Sequence, residues 1–326
     1  MEYRPLGQTG VKVSAIGLGC GGFGGIGSLS SLFGQGENQE QASALMDHAV
    51  ELGINYFDTA DSYGGGRSEE MVGRWMRDRH ARDRIVLATK VFNPTGADPD
   101  SGGLSRRHVM RAVEDSLRRL QTDRIDIYMA HEVDPATDLE ETMRAFDDLV
   151  RSGKVLYLGF CNIETWRVVK SLGISERIGG ARLTCVQNEY NLLHREAEAD
   201  MLSVLASEGI AFVAFSPMAG GWLSGKYRKG AAAPAGSRMQ LRPEPYAEFQ
   251  TDATYRAIER FGEAAASRGV SSGALALAWA ASHPQVTSIL AGPRNLQQFE
   301  AVEEALRLTL TAQDRVHIQN ESLVTA

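Results

Sequence analysis

Cysteine is scarce in this chain: three residues, Cys20, Cys161 and Cys185, in 326. An odd number set in apolar runs excludes a disulfide framework and a zinc-type ligand set, leaves no metal site to expect, and suits a reducing cytosol. An excess of positive charge is missing too. The 34 Lys and Arg stand against 41 Asp and Glu, a net charge of −7 at pH 7. That balance argues against a nucleic-acid partner or an anionic membrane surface, while leaving room for a local basic patch that binds phosphate. Long apolar runs are also absent. Met1-Glu2-Tyr3-Arg4-Pro5 has no apolar h-region, so no signal peptide is expected and the expected location is cytoplasmic. Residues 13–36 carry no charge, but nine of those 24 positions are Gly and four are Ser. Such a segment makes a poor spanning helix and reads as strand plus loop.

What is present is ordinary globular composition, 43% apolar and 23% charged. A chain of this length buries roughly three quarters of its unfolded surface without staples. Short buried-type β runs alternate with helical stretches: 16–20, 55–60, 85–90, 125–131, 155–162, 184–190, 211–216 and 286–291. In the helical segment from Ser105, Val109, Val113, Leu117 and Leu120 fall on one face. Thr137-Asp-Leu-Glu140 reads as a capping box, and Gly153, Gly209 and Gly269 as helix stops. Eight β-then-α units with no linker predict one (β/α)₈ TIM-barrel domain over 1–326; an open doubly wound sheet is the alternative that the same alternation allows. Residues 1–15, with a turn at Gln8-Thr9-Gly10, predict a β-hairpin plugging the barrel floor. Residues 218–250 predict a long loop after the seventh barrel strand.

Gly17-Leu-Gly-Cys-Gly-Gly22 matches G-x-G-x-x-G literally. A dinucleotide fingerprint needs a helix to begin inside the motif. Here Phe-Gly-Gly-Ile-Gly-Ser follows and cannot propagate one, so the match reads as a Gly-rich loop.

In such a barrel, chemistry sits where strands end. Asp58, Tyr63, Lys90 and His131 all fall at or just beyond predicted strand ends. Each alone has a structural explanation: a turn cap, a half-buried aromatic, a snorkelling amine, a core histidine. Together they say more. A Lys closing an apolar strand is costly unless paired, and Asp58 on the neighbouring strand is the obvious partner. A free phenol has a pKa near 10; a nearby ammonium is expected to lower it. The imidazole can donate to a carbonyl oxygen, and the set can protonate an alkoxide as it forms. No side chain supplies hydride, so a nicotinamide cofactor is implied.

Asp58-x₄-Tyr63, Lys90 and His131, in this order, resemble the catalytic tetrad of the aldo-keto reductases. So do Gly53-Ile-Asn-Tyr-Phe-Asp-Thr-Ala60, Ser116-Leu-Arg-Arg-Leu-Gln-Thr-Asp-Arg-Ile-Asp-Ile-Tyr128, Leu149-Val-Arg-Ser-Gly-Lys154 and Val186-Gln-Asn-Glu-Tyr-Asn191. The resemblance runs from residue 3 to about 300 and is weakest in 22–37, 93–103 and 228–250. It implies a barrel binding NADP(H) at its C-terminal face, NAD(H) being second choice. By analogy Tyr63 donates the proton, Lys90 tunes it, Asp58 pairs with Lys90, and His131 orients the carbonyl. Some relatives that reduce carbon–carbon double bonds carry Glu at the His131 position, so His favours carbonyl reduction.

The resemblance also implies cofactor contacts. Cys20 and Gly21, in the Gly-rich loop that ends the first barrel strand, and Asp58 are among them. Cys161 and Asn162, with Gln187, match the group holding the nicotinamide carboxamide. Phe215 falls at the aromatic stacked on the ring. The segment that wraps the pyrophosphate is matched by Phe215 to Lys226, including Ser216, Pro217, Met218, Gly221, Ser224 and Lys226, with Arg238 beyond it. Gly292, Arg294 and Gln298 match the segment around the adenosine 2′-phosphate, Arg294 offering a planar charged fork. One departure stands out: the family usually has Glu-Asn, which hydrogen-bond the adenine, where this chain has Ala301-Val302. Phe23 or nearby residues of the first loop, Phe92, Trp222 and the long loop are expected to wall the substrate pocket, with 24–36 as an adaptable lid or, alternatively, a disordered surface loop.

Three functions follow in order: a reversible NADPH-dependent reductase of aldehydes or ketones, a cofactor-sensing non-catalytic subunit, and a Schiff-base lyase using Lys90. The expected partner is a small carbonyl compound. Sugars, ketosteroids, quinone-like metabolites and nucleotide-linked ketosugars all fit, and the sequence carries no signal for oligomeric state.

Overall fold

The computed structural model describes residues 1–323. A hairpin of β1 (Tyr3–Pro5) and β2 (Lys12–Ser14) precedes β3 (Ile16–Gly19), β4 (Tyr56–Asp58), β5 (Val86–Val91), β6 (Ile125–Ala130), β7 (Val155–Cys161), β8 (Leu183–Glu189), β9 (Ala211–Phe215) and β10 (Val286–Ala291). Strands β3 to β10 close into a barrel, every neighbouring pair parallel. Each predicted β run is a barrel strand, and the open sheet is excluded. Around it lie α1 (Gln39–Glu51), α2 (Arg67–Arg79), α3 (Arg106–Leu120), α4 (Leu139–Arg151), α5 (Thr165–Ile178), α6 (Met201–Glu208), the short α7 (Arg238–Leu241), α8 (Asp252–Ser267), α9 (Ser272–Ala281), α10 (Phe299–Arg307) and α11 (Ala312–Leu323).

Two apolar cores follow from the alternation of side chains across each strand. The outer core packs helices on the barrel. The inner one holds Tyr56, Ala88, Ile127, Met129, Cys185, Ala211, Val213 and Leu290, sealed from below by Leu6 and Val13 of the hairpin. Arg4 anchors this plug by donating to the carbonyls of Ala281 and Val286 at 2.8 and 2.7 Å. With the floor closed, the inward positions two residues further along the strands (Asp58, Lys90, Gln187) face the open mouth.

The α3 stripe of Val109, Val113, Leu117 and Leu120 is buried as expected. Gly153, Gly209 and Gly269 all take positive φ just past helix ends, as their stop roles require. The capping box is corrected. Asp138, not Thr137, caps α4 by accepting from the Glu140 N–H, while the Thr137 hydroxyl donates to Asp134. The segment after β9 is broken into helical turns at Ala219–Ser224, α7 and Glu244–Phe249.

The C-terminal helix α11 is tied to the barrel by charge. Arg315 and Arg195 each donate to Glu198 at 2.5 Å, the Tyr190 hydroxyl donates to it at 2.6 Å, and Arg315 also donates to that hydroxyl. Burial pushes the Glu198 pKa up, but these donors outweigh it and bring it down to about 2. His283, edge-on to Tyr190, is held down to about 4 by burial and the Arg315 charge. Both shifts point one way. The unfolded chain takes up protons, on His283 between pH 6.5 and 4 and on Glu198 between pH 4.5 and 2, that the folded chain refuses. The stability that these two groups contribute is therefore full above about pH 6.5 and falls as pH drops through these windows. Glu198 contributes on the order of 1–2 kcal/mol after solvent screening. Urea midpoints should drop from pH 7 to pH 3, and Glu198→Gln should flatten the part of that drop below pH 4.5. A pH-independent midpoint for the wild-type chain would contradict this account.

Candidate active site

Asp58 and Lys90 come together because β4 and β5 pair in parallel with Asp58 opposite Ala88, one inward step below Lys90. The Lys90 Nζ donates to Asp58 Oδ1 at 2.5 Å and to the Thr59 carbonyl at 2.9 Å, and both side chains are buried. Gln187 donates to the other carboxylate oxygen at 2.7 Å. Burial opposes the Lys90 charge, but Asp58 outweighs it, so the ammonium is held above its ordinary pKa. Removing either partner would strand a buried charge, which costs about 3–5 kcal/mol.

Tyr63 sits in the turn after β4, its ring centroid 5.2 Å from Lys90 Nζ. Its hydroxyl is 3.4 Å from His131 Nε2, and the two rings meet edge-on. The sequence-based expectation of a lowered phenol pKa is corrected here. Burial dominates, Lys90 opposes it only in part, and the value rises to about 12. Tyr63 is thus a neutral phenol carrying a proton, the form a proton donor needs. His131 is neutral as well, since burial and the Lys90 charge push its pKa down to about 3.

The remaining predicted positions lie on segments at or just beyond barrel-strand ends. Gly21, after Cys20, faces the Tyr63 ring; a Cβ there would lie 3.5 Å from it. Cys161 donates its thiol to Gln187 Oε1 at 3.6 Å. Asn162 takes the left-handed φ of +52° and donates to the His131 carbonyl and to Glu132 Oε1, at 3.1 and 2.8 Å. Phe215 ends β9, and Ser216 beyond it has φ +53°. Pro217 follows, and Met218 Sδ lies 3.5 Å from where a Cβ on Gly273 of α9 would sit. Both strand ends thus carry a non-glycine residue at positive φ, an uncommon backbone state.

Further round the rim, a Cβ on Gly221 (φ +97°) would strike Lys226 Nζ at 2.5 Å, and Ser224 donates to the Gly221 carbonyl. Lys226 has a lowered pKa, through burial first and then the charges of Arg238 and Arg294. Lys226, Arg238 and Arg294 thus lie near enough to feel one another's charge, and such a group of cations could hold phosphates. The Arg294 fork, however, is already engaged. Its Nε donates to Glu37 Oε1 at 2.8 Å and its terminal nitrogens to the carbonyls of Gly236 and Gln35 at 3.2 Å each. Gln298 accepts from the Arg294 backbone N–H at 3.0 Å. Gly292 follows β10 beside Gly19.

Some expectations fail. Trp222 is packed among Tyr227, Phe249 and Tyr255, and Phe23 lies in the outer core, so neither walls a pocket. Val302 is buried and Ala301 packs toward Gly273, leaving no side-chain hydrogen-bonding group at that pair. Two further residues escaped the sequence reading. Asn93 contacts His131 and Ser62, and Glu37 contacts Arg294. Only the three-residue spacing of Asn93 from Lys90 would have pointed to the former.

A closed parallel barrel gathering a phenol, an ammonium–carboxylate pair and an imidazole at its strand ends defines a barrel oxidoreductase. Comparison makes the assignment specific: residues 15–320 match the model of the Aldo/keto reductase family, and the chain belongs to that family. It is 35% identical to an uncharacterized oxidoreductase, YrpG, of Bacillus subtilis, over 95% of this chain and 92% of that protein. It is 33% identical to a probable voltage-gated potassium channel subunit beta of Oryza sativa, over 94% and 91%. It is 32% identical to an L-glyceraldehyde 3-phosphate reductase of Escherichia coli, over 98% and 91%. No helix among the described residues is long and apolar enough to cross a membrane.

Proposed function

We propose that this protein reversibly reduces an aldehyde or ketone to an alcohol with NADPH. One observation carries the reading: Tyr63, a protonated phenol, stands between a neutral imidazole and an ammonium fixed by a carboxylate. Bound NADPH supplies the hydride. Tyr63 gives its proton to the carbonyl oxygen, a far stronger base than phenolate once it becomes an alkoxide. Lys90, held charged by Asp58, stabilises the phenolate left behind. His131 donates a hydrogen bond to the same oxygen and holds it near the phenol.

The residues present suit the nucleotide. The Asn162 amide nitrogen already donates within the chain, so its carbonyl oxygen is the atom offered to a carboxamide N–H. Lys226, Arg238 and Arg294 match the phosphates in charge. The Schiff-base alternative is disfavoured because Lys90 is fully buried and kept protonated, and an ammonium has no lone pair with which to attack. The similarity to a channel subunit supports the cofactor-sensing reading as second. A panel of aldehydes and ketones followed by NADPH absorbance, beside alcohols with NADP⁺, decides between the two. Steady turnover is expected; nucleotide binding without turnover across both panels would favour the regulatory role.

A further inference from the structure

Asn93 lies two residues beyond β5, half-buried behind His131. Its amide nitrogen is 3.2 Å from His131 Nδ1 and 3.4 Å from the Ser62 hydroxyl, and Ser62 Oγ is in turn 2.7 Å from Ser28 Oγ. An NH₂ group has two hydrogens, and here it meets two acceptors. On the opposite side of the ring, His131 Nε2 points at the Tyr63 oxygen. A neutral imidazole carries one N–H, and which nitrogen holds it is set by the hydrogen bond the other makes.

We infer that Asn93 is a positioning residue that fixes His131 as the Nε2–H tautomer by donating to Nδ1, so that the ring presents a donor rather than an acceptor to the reacting oxygen. The inference rests on the carbonyl-reduction reading for its purpose, though not for its geometry. Were the proton on Nδ1, Nε2 would present a lone pair to a carbonyl oxygen and repel it. Tyr63 would then donate into the imidazole instead of toward substrate. Burial supports the arrangement, because it holds His131 neutral and makes the choice of tautomer matter at every working pH.

Two measurements test it. In ¹⁵N-labelled protein, with His131 assigned by its loss in His131→Gln, Nδ1 should show the shift of an unprotonated nitrogen and Nε2 that of an N–H. Asn93→Asp should reverse the pair, since a carboxylate requires Nδ1–H. The same variant should lower kcat about 10²–10³-fold, the usual effect of losing one donor at a developing oxyanion. Nucleotide Kd should remain unchanged. An Nδ1–H signal in the wild-type protein overturns the inference without any variant having to fold. So does an Asn93→Asp protein with wild-type shifts. If the shifts are as expected but no carbonyl is turned over, the tautomer assignment stands and the reductase reading falls.

Discussion

Tyr63→Phe should lower kcat for carbonyl reduction by about 10²–10⁴-fold, the range of general-acid catalysis, while NADPH binding stays within about twofold. The substitution removes one oxygen from a buried site. It leaves the Lys90–Asp58–Gln187 chain of hydrogen bonds intact, because none of those bonds runs through the phenol. It also keeps the aromatic edge against His131. What is lost is the proton. With the phenol raised to about 12 by burial, the group stays protonated in the absence of substrate throughout neutral pH. The low-substrate rate should accordingly stay flat with pH well above the range where a free tyrosine begins to ionise. Intrinsic fluorescence quenching by NADPH reports binding separately from turnover. A Tyr63→Phe enzyme with near-wild-type kcat on an unreactive ketone would remove Tyr63 from the proton-donor role.

The barrel was legible because its signals are local and repeated. Each strand is a short apolar run bounded by turn residues, and each helix end at Gly153, Gly209 or Gly269 is a residue that tolerates positive φ. The tetrad was legible for a related reason: strand ends fix position in a barrel, so a polar residue closing an apolar run announces itself. The direction of the Tyr63 shift was not legible. It depends on how deeply Gly21, Lys90, His131 and the rest of the surrounding fold bury the phenol, and burial is a sum over the whole fold. Trp222 misled for a different cause. A Trp in a Gly-rich loop reads as a pocket wall, but the loop folds into helical turns that close over it with Phe249 and Tyr255. Glu37 had no signal at all. It became a partner only because Gly22 leaves room for its carboxylate; a Cβ there would sit 2.2 Å from Oε2.

If Arg294 reads the 2′-phosphate of the proposed NADPH, that carboxylate bears on coenzyme choice, since Arg294 is already bonded to Glu37. Arg294→Ala should weaken NADPH about tenfold to a hundredfold while changing NADH little, because charged hydrogen bonds contribute about 1.5–3 kcal/mol each. Glu37 is 4% exposed, and burial lifts its pKa in spite of Arg294. A phosphate arriving at Arg294 must displace this neighbour or share the guanidinium with it, and two anions at close range repel. Glu37→Gln keeps the shape and removes the competing charge. It should tighten NADPH several-fold and leave NADH nearly as it was, widening the preference between them. In the Arg294→Ala background the same change should do little, since the two effects pass through one guanidinium. Calorimetric titration of all four proteins with both nucleotides reads the cycle directly. Equal losses for NADPH and NADH in Arg294→Ala would mean that Arg294 serves only to clasp Gln35, Glu37 and Gly236 together, and that the 2′-phosphate is read elsewhere.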